Sequence, residues 1–161
     1  MDKKAIDWKN EIPRIVQPDR ILYDCDIFGG DNVDFEAIDC LDITGNLAVG
    51  DNFISGDILL GGSGFFGKFA CMGYIHTDGS VSFEDNADTG DIDAGGDVYF
   101  EDNADTGDIN AGGSASFGHH AHTFDVDAGG DVSFGDNAEV DKIVSKGSIC
   151  FGKSPRIGYI S

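Results

Sequence analysis

The sequence predicts an all-β fold, a right-handed parallel β-solenoid (β-helix) of about 17 residues per coil with a short N-terminal capping segment. Three observations predict it. Phe66, Phe83, Phe100, Phe117, Phe134 and Phe151 recur every 17 residues, and Val49 holds the same place one period earlier. Ile58, Ile75, Ile92, Ile109, Val126, Ile143 and Ile160 form a second column at the same period. Each unit opens on glycine, at Gly45, Gly62, Gly79, Gly96, Gly113, Gly130 and Gly147. Side chains returned to one place at a fixed period mean stacked coils, with the Phe, Ile and Val columns as core.

Taken in chain order, residues 1–20 read as a cap made of a short helix and a linker. Asp2 is a suitable N-cap, residues 2–11 the helix, and Pro13 its stop. Ile6, Trp8, Ile12, Ile15 and Val16 are apolar enough to cover the open edge of the first coil, which needs a cover. Residues 21–161 are the solenoid. Coils in 21–44 are irregular, with Leu41 in register and a displaced F-G-G-D-N at residues 28–32; those in 45–161 are regular.

Within a regular unit, numbered from its first glycine, positions 3 and 5 are apolar around a polar residue, as in Val98, Tyr99 and Phe100. Positions 14 and 16 repeat the alternation, as in Ile109, Asn110 and Ala111. Period two marks short half-buried strands. Gly-Gly pairs such as Gly95-Gly96 and Gly112-Gly113 supply one corner, where backbone without a Cβ turns sharply. D-N-A supplies another, and Asn52, Asn86, Asn103 and Asn137 are expected to bond along their column. No helix-length periodic segment separates the strands, which excludes a doubly wound α/β fold. The last coil stops at Tyr159, Ile160 and Ser161 without a cap, so Ile157, Tyr159 and Ile160 are candidates for an oligomer end, a homodimer or an open filament.

The N-terminus lacks the apolar run and cleavage site of a signal peptide, and no stretch approaches transmembrane length. Cys25, Cys40, Cys71 and Cys150 show no metal-binding spacing. Together these lead to the expectation of a cytoplasmic protein that avoids membranes and keeps its thiols reduced.

Charge is the second extreme feature. The formal net charge is −20, and residues 21–141 hold 26 Asp and Glu against one base, Lys68. Four of the ten bases, Lys142, Lys146, Lys153 and Arg156, lie in the last 20 residues, which hold no acid. The acids form columns: Glu84 and Glu101 at position 6; Asp85, Asp102 and Asp136 at position 7; Asp88, Asp105 and Glu139 at position 10; Asp91 and Asp108 at position 13. Like charges about 4.8 Å apart in water repel by roughly 0.9 kcal/mol, so such columns work against stability. They are the candidate partner-binding residues, and a basic protein surface is the partner they fit, with no direct contact to nucleic acid.

Chemistry is poorly represented. There is no phosphate-binding loop, nucleophile elbow or zinc-protease motif, so no catalytic residue and no cofactor is expected. The D-N-A-D-T-G-D turns are rich in oxygen but lack EF-hand spacing. His119, His120 and His122 interrupt the acid columns at positions 7, 8 and 10 of one coil. They read as relief of the acid columns, as a transition-metal site or as a pH switch, with neighbouring carboxylates favouring the protonated imidazole.

The A-G-G-D-V of residues 94–98 and 128–132 resembles the coils of bactofilin-type polymer-forming bacterial β-helix proteins, over residues 45–151. That resemblance implies a scaffold that stacks end to end. The regular Phe column, the acidic body and the Trp8 segment depart from the family's pattern. By physical analogy alone, the chain also resembles acidic β-helix proteins that mimic DNA. The expected function is therefore a non-catalytic acidic rod that occupies a nucleic-acid-binding protein, as an anti-restriction or anti-CRISPR inhibitor would, with a self-assembling scaffold as the alternative.

Overall fold

A computed structural model describes residues 20–161 and, before them, the strand Arg14–Val16; of residues 14–16 and 36–38 only the backbone is described. All regular structure among the described residues is strand. Each regular coil contributes three short strands, as Val98–Phe100, Asp105–Thr106 and Ile109–Ala111 do. Equivalent strands of successive coils pair in parallel and in strict register: Val81 faces Val98, Val98 faces Ala115, and Ala115 faces Val132. Positions 3–5 build an eight-stranded parallel sheet, which sets the solenoid at about eight coils; positions 10–11 and 14–16 join a second sheet of 13 strands.

Alternation decides which side chains enter the core. Positions 3, 5, 9, 11, 14 and 16 point inward, as Val98, Phe100, Ala104, Thr106, Ile109 and Ala111 show, all buried. The phenylalanines stack face to face, with centroids 4.5 Å apart for Phe83 and Phe100 and again for Phe117 and Phe134, their planes within 8°. Offset stacks of this kind add to the burial of each ring.

The ladder changes position at its start. In the coil of residues 45–61, position 5 is Val49 and position 9 is Phe53, where later coils have Phe and Ala. Phe53 is fully buried and continues the aromatic column, 5.6 Å from Phe66 and 6.2 Å from Phe35. Volume is conserved across the pair, which close packing demands.

The irregularity of residues 21–44 reduces to one insertion. Ile27 pairs with Leu47 and Asp34 with Ile54, a spacing of 20, whereas Cys40 pairs with Asp57, a spacing of 17. The register shift lies between Phe35 and Cys40, so the three extra residues are absorbed there. The displaced F-G-G-D-N follows: Phe28 pairs with Ala48 on the outward position 4, while Asn32 still matches Asn52.

The N-terminal expectation is revised in part. Arg14–Val16, placed in a linker, is a strand that pairs antiparallel with Arg20–Tyr23 and covers that edge of the sheet. The expected helix at residues 2–11, with Ile6 and Trp8, lies outside the described residues.

The D-N-A corner has a different physical basis from the one expected. Every position-8 residue adopts a left-handed backbone: Asn32, Asn52, Phe69, Asn86, Asn103, His120, Asn137 and Ser154 have φ between 56° and 64°. Asparagine tolerates that conformation better than other residues with a Cβ. Along this column the side-chain bond forms between Asn52 and Asn32 (3.1 Å), and it is the one such pair among the described residues. Conversely, no described glycine has positive φ, so the glycine corners are not sites of left-handed turning.

Candidate partner-binding surface

The acid columns separate into two kinds. At three corner positions of the repeat, in most coils, a short polar side chain accepts a hydrogen bond from the backbone N–H of the equivalent residue one coil later. At position 7, Asp51 accepts from Lys68 (2.9 Å), Asp102 from His119 (2.7 Å) and Asp136 from Lys153 (2.6 Å). At position 13, Asp57 accepts from Tyr74 (3.0 Å), Asp91 from Asp108 (2.9 Å) and Asp108 from Asp125 (3.1 Å). At position 2, Asn46, Ser80, Asp97 and Asp131 do the same for Ser63, Asp97, Ser114 and Ser148. These N–H groups sit where the chain bends out of the strand, and an unpaired one would be costly. All of these bonds run in one direction, with the acceptor in the earlier coil.

This arrangement explains the corner glycines. A Cβ on Gly107 would collide with Asp91 Oδ1, and one on Gly118 with Asp102 Oδ1, so glycine there leaves room for the close approach of the capping oxygen. Two residues with a Cβ also stand at such corners: Phe124, above the capping Asp108, where the bond from the Asp125 N–H is 3.1 Å, and Glu101. The second lies at position 6 above the capping Asp85, and there the bond from the Asp102 N–H lengthens to 3.4 Å.

Of the ten candidate acids, Asp85, Asp91, Asp102, Asp108 and Asp136 therefore have one oxygen engaged by backbone. Serine and asparagine do the same work at position 2, so the charge exceeds what the bond requires. Asp105 and Glu139 have side-chain partners instead: His122 Nδ1 lies 2.9 Å from Asp105, and Arg156 donates to Glu139 at 3.1 Å. Glu84, Asp88 and Glu101 have neither a capping bond nor an ion pair among the described residues.

Lys68, the single base of the body, donates to Asp85 Oδ2 at 2.6 Å. That bond holds the Asp85 carboxyl below the usual aspartate value, helped by the Asp102 amide, and holds the Lys68 ammonium above the usual lysine value. Burial pushes the Cys40 thiol up, against the opposing pull of Arg20. Cys25, Cys71 and Cys150 are exposed, and Cys40 is half-buried.

The histidines are dispersed in role. His119 Nδ1 accepts from the Asp136 N–H at 2.8 Å, in the place an aspartate oxygen takes in other coils. His120 occupies the left-handed corner. His122 pairs with Asp105 and packs edge-on against Phe124. No group of three or more His, Cys, Asp or Glu side chains among the described residues is placed to hold a metal ion, so the three do not converge on one.

At the far end, Lys142 donates to Asp125, and Arg156 to Glu139, so two acid columns finish on a cation. Ile157 is half-buried, while Tyr159 and Ile160 are exposed on the last strand, Arg156–Ile160. No helix among the described residues is long and apolar enough to cross a membrane. No family model, curated protein or solved structure matches the chain.

Proposed function

We propose that the chain is a non-catalytic, acidic rigid rod that binds a basic macromolecular partner in place of nucleic acid. The observation that carries this reading is the stacking of outward carboxylates at one-coil intervals on a body with a single base. Seven coils at a strand spacing of about 4.8 Å span roughly 34 Å. The excess of acids over bases in residues 21–141 then amounts to roughly one charge per 1.4 Å, against about one per 1.7 Å for duplex DNA. The corner bonds account for where many carboxylates stand, and not for their charge, because neutral serine and asparagine make the same bond in this chain. A pre-ordered rod meets Lys and Arg with little further loss of conformational freedom.

The test is competition. A non-specific DNA-binding protein is held on labelled duplex DNA, and the chain is titrated in at low and at physiological salt. Displacement that weakens steeply with salt supports the reading; no displacement at low salt refutes it.

A second reading, self-association through the C-terminal coil, is favoured by one observation: among the described residues the strand Arg156–Ile160 pairs only with Glu139–Ser145, and it exposes Tyr159 and Ile160. Light scattering across concentration distinguishes a monomer from a closed dimer or a growing filament.

A further inference from the structure

Position 4 faces outward from the eight-stranded sheet. Its occupants in successive coils are Phe28, Ala48, Phe65, Ser82, Tyr99, Ser116 and Ser133. Serine and alanine satisfy the fold at this position, so nothing in the coil requires a ring there. Yet Phe28, Phe65 and Tyr99 are 53%, 44% and 45% exposed, and they occupy alternate coils. Exposed rings in an ordered row on one sheet face of an acidic body mark a contact surface.

The trough between Phe65 and Tyr99 has a defined chemistry. Ser82 forms its floor, paired with Phe65 on one side and Tyr99 on the other. Two strand spacings separate the ring-bearing residues by about 9.6 Å, so a group centred over Ser82 lies about 4.8 Å from each, within the roughly 6 Å reach of a cation–π contact. Glu84 follows Ser82 by two residues, just past the strand Val81–Phe83, and Glu101 holds the same position one coil on. The nearest base, Lys68, is engaged by Asp85. The neighbouring trough, between Phe28 and Phe65, is floored by Ala48 and bordered by Gly50, and offers no carboxylate.

We infer that the Phe65–Ser82–Tyr99 trough is a docking site for an arginine side chain of a basic protein partner, the guanidinium lying between the two rings and meeting Glu84. Complementarity selects this occupant. Glu84 and Glu101 share the one nearby cation, Lys68, with Asp85, so a purely apolar group would gain nothing from their surplus charge and an anion would be repelled by it. Arginine suits the trough better than lysine, since its planar guanidinium is more weakly hydrated and stacks on aromatic faces. The inference rests on the proposed binding of a basic partner and names the side chain that anchors it.

Binding of an Arg-rich peptide and a Lys-rich peptide of equal length and charge is measured by calorimetry, with Phe65→Ser, Tyr99→Ser, Glu84→Gln and Ser116→Ala as variants. Serine already occupies this position in three coils, so the ring variants keep the fold, which circular dichroism confirms. The expected result is tighter binding of the Arg peptide than of the Lys peptide. Each ring variant then loses about two- to fivefold in Arg affinity, narrowing the preference, while Ser116→Ala changes nothing. If both peptides bind in a salt-dependent way but the ring variants bind Arg peptide like the parent, the trough is wrong and the acidic-rod reading stands. If neither peptide binds at low salt, both fall.

Discussion

The backbone N–H of Asp108 donates to Oδ1 of Asp91, one coil earlier, at 2.9 Å, and Asp108 in turn accepts from the N–H of Asp125 at 3.1 Å. A residue in such a column is both acceptor for the coil after it and donor to the coil before it. The acids that give the chain its charge are thus also part of how its coils are joined.

That relationship separates charge from bonding. Asp91→Asn keeps an accepting oxygen and removes a repelling charge, so it should be neutral or slightly stabilising. Asp91→Ala strands the Asp108 N–H and should cost about 0.5–2 kcal/mol, the range of other side-chain caps on backbone donors. Urea denaturation of both variants checks the order; equal losses would mean the carboxylate's charge, and not its oxygen, matters at the corner.

Phe69 is a bulky side chain held at φ 58°, where five other coils have asparagine. It is also 56% exposed, so little packing is lost on replacement. Phe69→Asn should stabilise the protein by about 1 kcal/mol, read as a rise in the denaturation midpoint.

The exchange of volume between positions 5 and 9 predicts strong coupling. Val49→Phe alone overfills the core beside Phe53, and Phe53→Ala alone opens a cavity worth about 3–5 kcal/mol. The double variant recreates the Phe and Ala arrangement of the later coils. It should lose much less than the two single losses combined, a double-mutant cycle measured by denaturation.

The Lys68–Asp85 bond predicts a pH dependence at both limits. Asp85 is held below its ordinary value of 3.8, so its contribution is present above that pH and is lost as pH falls through the lower folded value. Lys68 is held above 10.5, so its contribution is present below that pH and is lost as pH rises through the higher folded value. Both side chains are partly exposed to solvent, which screens the pair, so the effect is small. Lys68→Met should flatten both limbs of the stability profile relative to the parent, as followed by thermal melts from acid to alkaline pH.

Sequence periodicity carried the architecture because every core column repeats without a slip from residue 45 onward, and a strict period leaves one register for parallel coils. The site was half legible. Asp85, Asp102 and Asp136 were visible as a column, but which were bonded to backbone depends on the direction of stacking, and a period carries no direction. The glycines misled for a related reason: Gly107 and Gly118 answer to an oxygen 16 residues earlier, not to their own backbone angles. The Val49 and Phe53 exchange is invisible to a column-by-column period because it preserves volume across two positions and alters each one. His119 was placed correctly in its column, but its role as acceptor required the Asp136 amide beside its ring.

The most direct test of the central claim compares the two kinds of acid on binding to a basic protein. One variant neutralises Glu84, Asp88 and Glu101, which neither cap nor pair; a second converts Asp91, Asp102 and Asp108 to asparagine. The slope of log affinity against log salt is measured for each against the parent. If stacked outward charge drives binding, both variants should bind more weakly and show a shallower slope while remaining folded. An unchanged slope in both would contradict the account, leaving the carboxylates as corner bonds and nothing more.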